Sequence, residues 1–310
     1  MTKIRIPVRT TSGKVATRSP DVESTGERAA TETAVLPVAL GSALAAVGLL
    51  AAALTWVPGI LIGPPAMQGS ARGTAVVVLV AAPLSIAGIT LARRGRTFGL
   101  MLWLGAVAYL LYNAVLFLFA TPYNRLFLLD VVLLALAIFT LIRLVMVAGS
   151  QSVSESPRAR RWLAGFIWLV VALNSAAWLR AVIPSMWSDR PESVTDGLGV
   201  ATNPVYVQDL AFWLPTAAII GWWLWSGRPL GIVLAGGLLG FWLLESVSIA
   251  VDQALGTAAD PSSSVVSTAV IPGFLVLATA QALALVLHLR AVQSQTPPSG
   301  ASTHGRARMS

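Results

Sequence analysis

Glu245, Ser248 and Asp252 stand at i, i+3 and i+7, so a helix carries all three on one face as a polar stripe in an otherwise apolar stretch. An acid at such a depth has to be protonated, paired or turned toward a wet cavity, because isolated charge in hydrocarbon is costly. Tyr109, Tyr112 and Asn113 recur at i, i+3 and i+4, and a buried phenol needs a hydrogen-bond partner from the protein or from a ligand. Asp209 follows Asn203-Pro204 by about one and a half turns, beyond the first turn in which a helix dipole acts. Arg180 lies near the end of another apolar run, placed either to snorkel to the headgroups or to pair with Asp209 or Glu245. Asp130 sits just below Tyr123-Asn124-Arg125, where capping a hairpin competes with a ligand role. The candidate ligand-binding set is therefore Glu245, Asp209, Arg180, Asn113, Tyr112 and Asp130.

Signatures of soluble catalysis are missing. The chain has no cysteine and two histidines, His288 and His304, so thiolate chemistry, an H-E-x-x-H zinc site and paired-histidine haem ligation have no residues to use. No P-loop and no G-x-S-x-G occurs. No metal or cofactor is expected, no catalytic residue is assigned, and enzymatic activity is the weaker reading.

The elements that position these side chains are membrane helices. Hydrophobic residues make up 56% of the 310 and charged residues 11%, against roughly 25% charged in an ordinary soluble domain. Apolar runs of about 20 residues are read as helices, since barrel strands alternate over about 10. About eight runs qualify, near 34–56, 74–92, 97–121, 126–149, 162–183, 205–226, 230–252 and 264–290. The expected fold is an all-α polytopic membrane protein. Arg93-Arg94-Gly95-Arg96 and Ser226-Gly227-Arg228-Pro229 are the tight turns of two helical hairpins.

Net charge is +8 with a pI near 11, but the basic residues gather at the ends of apolar runs and not on one nucleic-acid-binding face. With the N-terminus cytoplasmic, sixteen of the 21 fall in inner segments and three, Arg72, Arg125 and Arg190, in outer loops. This positive-inside bias places both termini in the cytoplasm and the protein in the inner (plasma) membrane. The tails, 1–33 and 291–310, are polar and are expected to be disordered. Asn203 as N-cap and Pro204 as the first helical residue mark the start of the sixth span.

An offset of 132 residues brings Pro83 onto Pro215, Gly95-Arg96 onto Gly227-Arg228, Gly99 onto Gly231, Leu102 onto Leu234 and Gly105 onto Gly237. Four spans separate the copies, so each has the same direction in the bilayer. The expectation is a parallel repeat of two four-helix halves, 34–149 and 162–290, joined by a cytoplasmic linker over 150–161. In this register Asn113 falls on Glu245. Pro83 and Pro215 lie within spans and are expected to kink them.

The stretch Thr202-Asn203-Pro204 through Asp209 to Pro215, followed by the Gly227-Arg228-Pro229 turn, resembles a pattern in uncharacterised prokaryotic multi-pass membrane proteins. Tyr109, Tyr112, Asn113, Asn124, Leu126, Phe127 and Leu128 resemble a second pattern of that group. Between Ala114 and Thr121 the chain departs from it. The resemblance implies an eight-span membrane protein and singles out Asp209; it implies no substrate.

The functional expectation is a membrane protein that binds or moves a small molecule, ion or lipid through an outward-facing polar pocket. A non-catalytic structural or assembly subunit is the alternative, and a membrane-embedded lipid-modifying enzyme the third reading. The expected partners are the lipid bilayer and a small-molecule or lipid ligand, without nucleic acid; nothing in the sequence identifies a protein partner.

Overall fold

A computed structural model describes residues 20–121, 123–190 and 195–294, with side chains described from Val35 to Val292. The chain divides into a short N-terminal unit ending at Leu36 and a main unit from Pro37. Helix α1 (Pro20–Leu54) begins in the first. Then follow α2 (Pro65–Arg93), α3 (Thr97–Phe119), α4 (Phe127–Gly149), the short strand β1 (Val153–Ser154) and α5 (Pro157–Met186). The sixth helix is interrupted: α6 (Pro204–Gln208), a π-helical turn (Asp209–Trp213) and α7 (Leu214–Trp225). Helix α8 (Pro229–Ala259), a 3₁₀ turn (Thr268–Val270), α9 (Ile271–Ala291) and strand β2 (Gln293–Ser294) complete the order. The tails expected over 1–33 and 291–310 lie largely outside the described residues; β2 falls within the second and pairs antiparallel with β1, Val153 opposite Ser294.

Among the described residues, seven helices are long and apolar enough to cross a membrane. The eighth helical segment, 204–225, is divided by the π turn, and its longer α-helical part, α7, has 12 residues. Burial separates inner from outer helices. In their most apolar stretches, 72% of α3 and 67% of α8 are buried, against 6% of α5. Helices α3 and α8 therefore form the centre, with α2, α4, α7 and α9 packed on them and α5 packed on α7. In the main unit Leu44, Ala45 and Ala52 of α1 are also buried.

Large apolar side chains cover the outside, among them Val80, Phe139, Met146, Leu173 and Val276. Water does not tolerate so extensive an apolar exterior, whereas lipid solvates it. The chain is a multi-pass α-helical membrane protein.

Two turns need glycine for a geometrical reason. Gly95 has φ 72° and Gly227 φ 75°, left-handed values that cost other residues strain. Each closes its helix with the same pair of bonds. Gly95 N–H donates to Ala92 O and Arg96 N–H to Leu91 O; Gly227 N–H donates to Leu224 O and Arg228 N–H to Trp223 O. This is the Schellman arrangement, in which the last carbonyls are satisfied and the chain reverses at once.

Helices α2 and α8 reach well beyond their apolar runs. Helix α2 begins at Pro65 and α8 continues to Ala259, where hydropathy alone ends them near 74 and 252. The added turns pack on each other through Gly69 and Gly73, whose missing side chains let the α8 backbone approach.

Candidate functional site

The first halves of α2 and α9 and the second halves of α3, α5 and α8 end on the same side of the bundle, together with α6. Between them lies a cavity of about 730 Å³, within the roughly 300–1,000 Å³ of pockets that enclose small ligands. Arg93, Arg94, Arg96, Arg161, Arg228 and Arg290 stand at the opposite ends of these helices.

Three carboxylates line the cavity: Glu245 and Asp252 from α8 and Asp209 from the π turn. Pro215 explains the turn locally. It has no N–H, and in a regular helix its ring would press on the carbonyl four residues back. The chain widens instead, and the Leu214 N–H donates to Asp209 O, five residues back. Such bulges are the usual answer to an insertion or obstruction in the helical ladder. The expected kink at Pro215 thus takes the form of a bulge that carries Asp209, while α2 runs unbroken through Pro83. Asn203 starts α6 by accepting the Val205 N–H at 3.1 Å, with Pro204 as the first helical residue.

Each acid is held by neutral donors. Trp178 Nε1–H donates to Asp209 Oδ2 at 2.8 Å. Asn113 Nδ2 donates to Glu245 Oε2 at 3.0 Å and to the Tyr109 carbonyl at 3.0 Å. Two acceptors on one nitrogen fix which way the amide points, and they leave Asn113 Oδ1 buried without a partner. Gln253 Nε2 donates to Asp252 Oδ1 at 3.0 Å. The described ion pairs are Arg190 with Asp196 and His288 with Glu155. Among the described residues, then, no cation neutralises any of the three cavity acids.

Aromatic rings form part of the wall. Tyr112, Trp213 and Phe241 make one cluster, with ring centroids 4.6 to 5.9 Å apart. Trp178 and Tyr206 form a second pair at 4.9 Å. Ser246 donates to Gln281 Oε1 at 2.8 Å, and both line the same space.

Of the six residues singled out from sequence, Glu245, Asp209 and Tyr112 line the cavity and Asn113 stands directly behind Glu245. The other two lie elsewhere. Arg180 is exposed on α5 and pairs with neither Asp209 nor Glu245; Trp178, two residues earlier, meets Asp209 instead. Asp130 is buried in the first turn of α4, outside the cavity, and in the turn just before that helix Asn124 Oδ1 accepts the Leu126 N–H at 2.8 Å. The polar stripe of α8 also divides. Glu245 and Asp252 face the cavity, while Ser248 meets the Tyr109 hydroxyl at 2.9 Å within the core. That contact supplies the partner a phenol at this depth requires.

Sequence reasoning missed Trp178, Trp213 and Tyr206, because aromatic residues near a bilayer surface read as interfacial anchors. It also missed a buried pair at the opposite end, Glu155 Oε1 with His288 Nδ1 at 3.2 Å. Among the described residues no three His, Asp or Glu side chains are grouped to hold a metal ion. Of the serines lining the cavity, Ser246 bonds Gln281 and not a carboxylate or a histidine.

No family model matches the chain, and no curated protein or solved structure matches it either.

Proposed function

We propose that this membrane protein binds a small molecule in the cavity between α2, α3, α5, α6, α8 and α9, and carries it to or across the bilayer from the extracytoplasmic side. One observation carries the reading: a ligand-sized space is walled in part by aromatic rings and by acids that form no ion pair among the described residues. Bundles that serve only as scaffolds have reason to pack such a space shut, since packing contacts are what hold membrane helices together. Mass spectrometry of protein extracted from native membranes is the direct test. A bound small molecule is expected in the wild type and is expected to be lost from Ala177→Trp, which fills the cavity from the loosely packed α5. Wild type without any copurifying molecule, or retention by Ala177→Trp, would remove the reading.

In this proposal the arginine-rich end faces the cytoplasm, the cavity opens outward, and all eight helices cross an inner membrane, the sixth despite its bulge. The distribution of Lys and Arg supports the orientation. Because the chain has no cysteine, single cysteines at Ser152 and Ser188 report it cleanly: an impermeant thiol reagent added outside intact cells should label Ser188→Cys and spare Ser152→Cys. The reverse pattern would invert the topology.

A parallel duplication explains how the cavity arose. A two-fold axis along the membrane normal would bring equivalent positions of the two central helices face to face. Asn113 and Glu245, 132 residues apart, share a hydrogen bond, and a methyl added at Gly105 would meet the Gly237 carbonyl at 2.9 Å. The two Schellman turns obey the same offset. Symmetry fails where the cavity lies. Gly69 and Gly73 let α2 close on α8, but the positions 132 residues later are Ala201 and Val205, which carry side chains. The resemblance to prokaryotic multi-pass proteins through the Asn203-to-Pro215 stretch fits this account, since it covers the element that departs from symmetry.

A further inference from the structure

The chemistry of the cavity wall narrows what it takes. Glu245, Asp209 and Asp252 face one space. Their hydrogen bonds come from an asparagine, a tryptophan and a glutamine. Neutral donors orient a carboxylate without cancelling its charge, so the field inside the cavity favours a positive guest. Among the described residues no Arg, Lys or His lines the space, so an anionic guest would meet repulsion that none of them offsets.

The aromatic walls point the same way. The faces of tyrosine, tryptophan and phenylalanine attract cations through the ring quadrupole, and they accept ammonium groups whose hydrogens are replaced by carbon, which a hydrated metal-ion site does not. Tyr112, Trp213 and Phe241 stand next to the Asp209 and Glu245 side of the cavity, because Trp213 shares the π turn with Asp209, Phe241 lies one turn before Glu245 on α8, and Tyr112 contacts both rings. Farther out, Leu116, Phe117, Leu173, Val266 and Phe274 make the wall apolar. A guest that satisfies the whole space has a positive head among the acids and rings and an apolar body against these residues. The volume, about 730 Å³, is far larger than an inorganic ion needs.

We infer that the cavity binds a hydrophobic organic cation, a protonated amine or quaternary onium group on an apolar or aromatic body, with its charge between Asp209 and Glu245 and against the Tyr112–Trp213–Phe241 cluster. This inference rests on the reading of the cavity as a small-molecule site and specifies the chemical class of its ligand.

Three probes of similar bulk and different charge test it on the purified full-length protein in nanodiscs: tetraphenylphosphonium, tetraphenylborate and neutral triphenylphosphine oxide. Equilibrium binding is expected for the cation and not for the anion, and Glu245→Gln and Asp209→Asn should each weaken cation binding by roughly tenfold or more, as loss of a charge partner inside a low-dielectric space does. Trp213→Leu should weaken it by a smaller factor with the charges intact. Thermal unfolding of each variant, measured in parallel, separates lost binding from lost fold. A neutral probe bound as tightly as the cation, unaffected by Glu245→Gln and Asp209→Asn, would overturn the cation assignment and leave the cavity as a binding site. Binding of none of the three would overturn the assignment as well. If a small molecule nevertheless copurifies with wild type and is lost from Ala177→Trp, the site itself stands; if none copurifies, both readings fall.

Discussion

Glu155→Ala is expected to destabilise the protein by about 3 kcal/mol or more, the loss typical when one partner of a buried pair is removed and the other is stranded. The side chains of Glu155 and His288 are 1% and 0% exposed. His288 Nε2 lies 3.0 Å from Ile232 O, and a carbonyl only accepts, so Nε2 must carry a hydrogen. A second proton must then sit between Nδ1 and the Glu155 carboxyl, whichever of the two formally owns it. Removing the carboxylate leaves the imidazole with an unmet nitrogen among apolar neighbours. The pair also ties three parts of the chain together: the linker before α5, the start of α8 through Ile232, and the end of α9. Pairing of β1 with β2 fastens the same linker to the segment after α9. Glu155→Gln keeps a donor that can reach Nδ1, so its loss should be smaller than that of Glu155→Ala. Equal losses in thermal and denaturant unfolding of the two variants would show that the hydrogen bond kept by Glu155→Gln contributes nothing to stability.

Neither partner of this contact stands out in the sequence. Glu155 lies in a polar linker, where an acid reads as solvated, and His288 reads as the basic end of a span. Their 133-residue separation exceeds anything that periodicity can reveal, since helical spacing relates only residues a few turns apart. The π turn at Asp209 is hidden for a different reason. Pro215 announces that the ladder is broken, yet Pro83 announces the same and α2 remains regular; tertiary surroundings decide between bend and bulge.

What hydropathy does reveal is the order and direction of the helices, because lipid admits only apolar runs with their backbone bonds closed. The eight runs correspond to eight helices among the described residues. Their ends are read less well where polar residues face the protein and not the water. Helix α2 starts nine residues before its expected limit, since Ser70 and Thr74 line the cavity and Gly69 and Gly73 face α8. Hydropathy counts a polar side chain without knowing which way it points. The contact of Asn113 with Glu245 was accessible by another route. Their shared register suggested matching depth in the bilayer, and depth on two adjacent helices is most of what a hydrogen bond requires.

The glycine seam between α2 and α8 supplies the second large expected effect. A methyl at Gly73 would meet the backbone of Asp252, including its nitrogen at 2.7 Å, and one at Gly69 would meet Gly256 Cα at 2.9 Å. Backbone atoms cannot rotate away as a side chain tip does, so the helices must separate. Overpacking of this kind costs about 1–3 kcal/mol for added methylenes and more where the backbone is the obstacle. Gly73→Val is therefore expected to lower the yield of folded protein and shift its melting temperature sharply downward. Gly73→Ala should do so to a lesser degree, even though alanine is the better helix former by about 1 kcal/mol. Gly165 on α5 gives the matched comparison, because a methyl there meets nothing within 4 Å; Gly165→Ala should be neutral or slightly stabilising. The seam also aims Asp252 at the cavity from the turn that Gly73 touches, so Gly73→Ala should weaken ligand binding even in the fraction that folds. If Gly73→Ala and Gly165→Ala melt alike, α2 and α8 are not in close contact, and the explanation of the cavity as the place where the second half lacks such a seam loses its premise.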